Sequence, residues 1–417
     1  MAKSDEQEPQ PVAEEQMDFK TSDGALIDVA DQAPIPRLLD YIVEAATTAK
    51  ATDIHFDPHE DGLIIRFRVD GVLHDVMNVP PSTALSLVSR IKVLANLDIV
   101  ERRHAQDGRI SFAVGEEQHD MRIGTVPTTL GEKVAIRIMT TRSLFSDLSQ
   151  LGFDEAQLGQ ISQMIARPYG MILAAGPVGS GKTTTLYSCL TKVNRRQDNV
   201  MTIEDPVEYR IAGTNQIQVN TRVDFSFAEG LRAMLRQDPD TIMVGEIRDN
   251  ETARIAVWAA MTGVLVFSTI HASDAPSTVT TLLNFDIPGF LVSNSLIGVI
   301  AQRLVRVICP HCKQEYKPDD ELLKQMGAPL KKYQGATFAT GKGCSECFHT
   351  GYAGRTGIYE IMMTNDEVKD LIFRQTTREV LRQVAMDAGM VTLKEAALNK
   401  VAAGVTTVEE YYRVVYI

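Results

Sequence analysis

The chain has 417 residues, 44% of them hydrophobic, with a formal net charge of −12. That length leaves room for two or three folded units with sizeable cores, and the acidic balance argues against a dedicated nucleic-acid binder, which is usually basic. No leader-like apolar segment follows the acidic N-terminus and no run approaches the roughly 20 apolar residues that span a bilayer, so the chain reads as cytoplasmic, with its five cysteines as metal ligands or core residues rather than disulfides.

Residues 1–33 carry nine acids against Lys3 and Lys20, a charge of −7, and their Glu, Gln, Pro and Asp content predicts a disordered acidic tail. Pro34 and Pro36 then lead into Leu38–Val43, which has helical apolar spacing. Residues 34–141 form the first predicted domain. It is a small α+β unit with strand-like runs at Leu63–Val69, Arg109–Val114 and Val134–Ile138, a hairpin turn at Asp70-Gly71, and one helix over Ala84–Leu97. Residues 142–165 read as a linker, with a hinge near Arg142–Asp154. From residue 166 the rhythm becomes apolar strand, loop, helix. Buried strands are predicted at Met171–Ala175, Val200–Ile203, Thr241–Val244 and Leu265–Thr269, and continuous apolar runs alternating with helices imply a parallel sheet, so the fold class is α/β. This second domain runs over 166–308, a cysteine-rich insert over 309–347, and a helical C-terminal region over 348–417.

The first predicted strand of the second domain ends on Gly176-Pro177-Val178-Gly179-Ser180-Gly181-Lys182-Thr183-Thr184. The pattern is that of a phosphate loop. Backbone N–H groups cradle phosphates, the lysine reaches the β- and γ-phosphates, and the threonine hydroxyl binds Mg²⁺. The segment after it continues as a helix whose N-terminus favours anions. Three further strands end on residues that phosphate chemistry uses, namely Glu204 with Asp205, Glu246, and His271. Ligands bind beyond the carboxyl ends of strands in open α/β sheets, so these groups are expected to gather at the loop. Glu246 takes the place of the acidic metal partner, and Glu204 is the choice for activating water, although the two roles are exchangeable. An imidazole at His271 can hydrogen-bond a γ-phosphate and register its loss. Together with Lys182, these side chains form the candidate catalytic set.

These segments resemble the secretion and type IV pilus assembly ATPases, a family of hexameric cytoplasmic motors. The matching stretches are Gly176–Tyr187, Thr202–Tyr209, Leu235–Asp240 leading to Gly245–Asp249, and Ser268–Ala272, with Thr52–His55 and Arg66–Gly71 upstream. The resemblance begins near residue 34 and reaches the C-terminus. It implies a PAS-like N-terminal domain followed by a RecA-like ATPase domain, with ATP and Mg²⁺ as ligands. It also implies a homo-hexamer peripheral to the inner face of the cytoplasmic membrane. There it would drive pilus or pseudopilus assembly with an inner-membrane platform protein and cytoplasmic assembly factors, and no nucleic-acid partner is expected. In this family the site is completed between subunits by arginines supplied in trans, for which Arg109, Arg122, Arg137, Arg232, Arg236 and Arg248 are candidates. Arginine suits that task because its planar fork binds phosphate charge bidentately. Two departures stand out. Val264 replaces a usual histidine, and an acidic tail stands where longer relatives carry a further N-terminal domain. The alternatives are a retraction motor and, from another class, a nucleic-acid translocase, which the acidic balance disfavours.

Cys309-Pro310-His311-Cys312 and Cys344-Ser345-Glu346-Cys347 are separated by 31 residues. Two thiolates from each pair would complete a closed tetrahedral zinc shell with a structural role. The resemblance supports this, since assembly-type members carry such a site and retraction-type members generally lack it. His311 and His349 are possible substitutes as ligands, and Cys189 reads as a core residue.

Overall fold

The computed structural model describes residues 27–28, 34–115, 117–139, 147–193, 197–327, 333 and 335–415. Apart from residues 27–28, the predicted acidic tail lies outside the described residues, as does the first part of the predicted hinge.

The first sheet begins with the short strand β1 (Ile27–Asp28). Helix α1 (Ile35–Thr48) has a proline in its first turn and buries Leu38, Leu39, Ile42, Val43, Ala45 and Ala46 along one face, the stripe that a 3.6-residue period predicts. Strands β2 (Asp53–His59), β3 (Gly62–Val69) and β4 (Val72–Val79) follow. The β3–β4 turn is Asp70-Gly71, with φ of 49° and 86°, as a two-residue hairpin of the right twist requires. Helix α2 (Pro81–Leu94) starts and stops three residues before the predicted span. Pro81 sets the first helical φ, and Asn96, at φ 55°, stops the helix in the left-handed region. Strands β5 (Gln106–Val114), β6 (Glu117–Thr128) and β7 (Gly131–Met139) complete a seven-stranded sheet of order β1-β4-β3-β2-β7-β6-β5. Residues of both helices and of one sheet face, among them Leu39, Phe56, Ile65, Leu87 and Ile136, form its core.

The second sheet is where the candidate site lies. After helix α3 (Glu155–Ile165) come β8 (Gly170–Ala175), α4 (Lys182–Leu190), β9 (Val200–Glu204), β10 (Asn215–Gln218), α5 (Phe227–Met234), β11 (Thr241–Val244), α6 (Asn250–Met261), β12 (Leu265–Ile270), α7 (Ala275–Asn284), α8 (Gly289–Ser295) and β13 (Leu296–Ile308). Strands β8, β11 and β12 are buried at every residue, which is why they read as continuous apolar runs rather than alternating ones. Helix α3 is not linker. Its Ile161 and Met164 are buried in the core under this sheet, and so are Leu148, Leu151 and Phe153 before it, so the described part of the predicted 142–165 connection and of the hinge near Arg142–Asp154 is packed structure rather than linker.

Beyond β13, a small antiparallel pair, β14 (Lys313–Tyr316) and β15 (Phe338–Gly341), flanks helix α9 (Asp320–Gln325). The predicted helical region at 348–417 is then corrected. It opens with a twelve-residue strand, β16 (Tyr352–Met363), antiparallel to β13 through the pairs Gly298↔Met363 to Ile308↔Tyr352. The sheet order is β10-β9-β11-β12-β8-β13-β16. A strand read on its own residues shows only local propensity, whereas β16 is stabilised by a partner 44 to 65 positions earlier in the chain. Helices α10 (Asp366–Phe373), α11 (Arg378–Asp387), α12 (Leu393–Ala402) and α13 (Val408–Val415) follow. The turn between β3 and β4 meets this end of the molecule, where Gly354 N donates to Asp70 Oδ2 at 2.8 Å. Among the described residues no helix is long and apolar enough to cross a membrane.

Candidate nucleotide site and cysteine cluster

Strand β8 delivers the chain to Gly176 at the carboxyl edge of the sheet, and α4 starts at Lys182. The loop between them passes close to β13. A Cβ at Gly176 would lie 2.5 Å from the Gln302 carbonyl oxygen and 2.6 Å from Ser180 Oγ, so only glycine fits there. Gln302 Nε2 donates to the Ser180 carbonyl at 2.7 Å and pins the loop to its neighbouring strand. At the apex, Val178 is 86% exposed, leaving the loop open to solvent. Lys182 is buried, and its Nζ donates to the carbonyls of Gly176 and Pro177 at 2.9 Å each. Burial lowers its pKa, against the opposing charge of Glu246.

Glu246 follows β11. Its carboxylate pairs with Arg248 Nε at 2.5 Å and lies 3.7 Å from His271 Nε2. The His271 pKa is lowered, first by burial and then by Lys182, with Glu246 opposing. The imidazole is therefore neutral at pH 7 and able to donate from one nitrogen and accept at the other. Lys182, Glu246 and His271 thus form one cluster at the edge where β8, β12 and β11 end side by side.

Glu204 ends β9, the strand beside β11, but against the expected gathering at the loop its carboxylate bonds none of these three side chains. Its carboxylate is 2% exposed and accepts hydrogen bonds from Thr202 Oγ1 at 2.6 Å, from Gln216 Nε2 at 3.2 Å and from the Tyr187 hydroxyl. Tyr187 is on α4, so the helix that starts at the phosphate loop also fixes this second carboxylate. Burial, with Glu204 next to it, raises the Tyr187 pKa, and the hydroxyl stays a donor.

The six candidate arginines separate into groups. Arg109, Arg122 and Arg137 are exposed and directly opposite one another on β5, β6 and β7, a single row across the first sheet. Asp53 orders one end of that row by accepting from Arg137 Nε at 3.0 Å. Loss of hydration raises the Glu208 pKa, and the charges of Arg137 and Arg122 oppose the rise. Arg122 and Arg137 therefore lie near Glu208, in the loop after β9, within one chain. Arg232 pairs with Glu251 at 2.5 Å, Arg248 is already on Glu246, and Arg236 is exposed. The contacts made by Tyr187, Gln302 and Arg303 are not legible in the sequence. For Gln302 and Arg303, their place as two consecutive polar residues inside the apolar run Leu296–Ile308 is the available signal.

The four cysteines converge. Their sulfurs all lie within 4.8 Å of one another, with Cys309–Cys344 at 3.9 Å, Cys312–Cys347 at 3.8 Å and Cys344–Cys347 at 3.7 Å. A zinc tetrahedron with bonds of about 2.3 Å has edges of about 3.8 Å, so the donor set fits that ion. Burial would raise the Cys347 pKa, but the N–H groups of Cys344 and Gly351, donating to its sulfur at 3.2 and 3.3 Å, help bring it down to about 7. His311 and His349 are outside the group. Cys189 is fully buried and its pKa is pushed up to about 12 by burial, as befits a core thiol.

A family model described as "Type II/IV secretion system protein" matches residues 28–413. The chain is 46% identical over 389 residues to "Type II secretion system protein E" of Pseudomonas aeruginosa, covering 93% of this chain and 77% of that protein. It is 45% identical over 383 residues to "Type IV pilus assembly ATPase PilB" of Myxococcus xanthus, covering 91% and 68%. Among solved structures, the Legionella pneumophila ATPase DotB shares the fold, with a TM-score of 0.69 at 20% identity over 94% of this chain and 99% of that one. The pilus retraction motor PilT with bound ADP has a TM-score of 0.60 at 25% identity, covering 90% and 96%.

Proposed function

This chain belongs to the Type II/IV secretion system protein family, and we propose that it is a cytoplasmic, hexameric ATP hydrolase that drives pilus or pseudopilus assembly. The observation that carries the reading is the convergence of Glu246 and His271 on Lys182 of the loop Gly176–Thr184. In this reading the N-terminal sheet is a PAS-like domain and the second sheet a RecA-like ATPase domain, joined at a hinge upstream of Leu148.

Backbone N–H groups of Gly179 to Thr184 and the Lys182 ammonium bind the phosphates, once Lys182 leaves the carbonyls it now occupies. The Thr183 hydroxyl and Glu246 are the residues that would hold Mg²⁺, which when bound offsets phosphate charge. Glu204, kept in one orientation by Thr202, Gln216 and Tyr187, positions the attacking water. His271 donates to the γ-phosphate and senses its departure. An arginine from the row Arg109–Arg122–Arg137, or Arg232, Arg236 or Arg248, completes the site from a neighbouring subunit. Cys309, Cys312, Cys344 and Cys347 would hold a structural zinc ion, and this cluster favours an assembly motor over a retraction motor. The partners in this reading are an inner-membrane platform protein and cytoplasmic assembly factors, without nucleic acid.

The test is Mg²⁺-dependent ATP hydrolysis by the assembled ring. Lys182→Ala is expected to lower kcat/KM by at least about 100-fold. Glu246→Gln should weaken Mg²⁺-dependent nucleotide binding, whereas Glu204→Gln should leave binding intact and abolish turnover. A wild-type rate equal to that of Lys182→Ala refutes the reading.

A further inference from the structure

His271 is half exposed, so its own packing does not place the ring. Its position comes from the backbone turn His271–Asp274 that joins β12 to α7, and three side chains from distant elements grip that turn. Arg303 Nη2, from β13, donates to the Ser273 carbonyl at 3.2 Å. Arg382 Nη2, from α11, donates to Asp274 Oδ2 at 2.5 Å, while Asp274 Oδ1 accepts from Ser277 N at 2.8 Å and caps α7. The third grip is Glu360 on β16, only 1% exposed. Its Oε1 accepts from Ala275 N, the first residue of α7, at 2.8 Å, and its Oε2 accepts from Leu393 N, the first residue of α12, at 3.1 Å. One buried carboxylate therefore satisfies the unpaired N–H groups at the starts of two helices. One of those helices leads back to His271. The other belongs to the C-terminal region.

We propose that Glu360, assisted by Arg382, is a positioning residue that holds the His271 turn against Glu246 and the phosphate loop and ties it to the C-terminal helices. Neither residue touches the nucleotide site. Their effect on turnover passes through His271, so a displacement of that ring by the γ-phosphate is transmitted along Ala275–Glu360–Leu393 to α12. This inference rests on the ATPase reading above.

The decisive measurement is a double-mutant cycle on the assembled protein. In Glu360→Gln an amide NH₂ replaces one acceptor oxygen, so one of the two helix contacts is lost. Its kcat is expected to fall about tenfold, with KM for ATP and the affinity for a fluorescent ADP changed by less than about twofold. In a His271→Ala background the same substitution should change kcat by less than about twofold, because residues acting as one unit are non-additive. Arg382→Gln, at a partly buried position, repeats the cycle and replaces it where Glu360→Gln does not fold. A full tenfold loss that persists in the His271→Ala background, or an equal loss of nucleotide affinity, assigns Glu360 a purely structural role and overturns the proposal. A wild-type protein without ATPase activity would instead refute the functional reading alone. The His271 ring Cε1–H correlation in NMR then decides, since it should shift in either variant and an unchanged shift overturns the positioning role.

Discussion

Lys182 and His271 show how individual side chains are tuned by where strands end. Lys182 is desolvated but tethered to two carbonyls of its own loop, so arriving phosphates have only to outcompete neutral acceptors. His271 has a pKa below its ordinary 6.5 because burial and Lys182 outweigh Glu246. If neutral His271 is the working form, activity is flat above pH 6.5 and falls only as the pH drops through the lowered value. A pH–rate profile should show that acid limb, and His271→Gln should lose it along with part of the rate. The residue scale was largely legible in sequence, because a glycine-rich loop with lysine and polar strand ends are local signals. Tyr187 was not, since its role depends on α4 lying beside β9.

At the scale of elements, β13 and β16 connect the candidate site to the rest of the chain. Arg306 on β13 meets Glu410 of α13, with its backbone N and side-chain Nε donating at 2.8 and 2.9 Å, and Arg413 Nη2 adds a contact of 2.6 Å. Glu410 is fully buried. Its burial would raise its pKa, yet the bonds from Arg413 and Arg306 bring it below the ordinary 4.5. A depressed carboxylate contributes stability that is present above the unfolded value and lost as pH falls through the folded one. Glu410→Ala leaves Arg306 without its partner and is expected to cost about 3–5 kcal/mol, measured by urea denaturation at pH 7. The difference from wild type should shrink below pH 4. The cysteine cluster is the other device at this scale. Elemental analysis is expected to find one zinc ion per chain, and Cys312→Ser should lose it together with several degrees of melting temperature.

At the scale of the whole molecule, Arg122 and Arg137 of the first sheet lie near Glu208 of the second within one chain, while the family resemblance implies completion of the site by a neighbour. A mixing experiment separates these arrangements. Chains carrying Lys182→Ala are inactive but supply intact arginines, and chains carrying Arg122→Ala with Arg137→Ala keep an intact phosphate loop. Recovery of ATPase activity in the mixture is expected if arginines act between subunits. Activity that stays at the level of either variant alone would place the row within its own subunit.

The sequence by itself determined the α/β class, the phosphate loop, the strand-end residues Glu204, Glu246 and His271, and both cysteine pairs. Each of these depends on short spacing or on unbroken apolar runs, so each is written locally. Only the tertiary structure decided that Tyr352–Met363 is a strand, that α3 packs on the second sheet, and that Glu204 is enclosed by Tyr187, Thr202 and Gln216. It alone brought Arg303, Glu360 and Arg382 together around the His271 turn. Apart from the enclosure of Glu204, whose partners lie within 17 residues of it, those outcomes depend on partners separated by tens to hundreds of residues, and pairing, packing and buried charge are settled only when the partners meet.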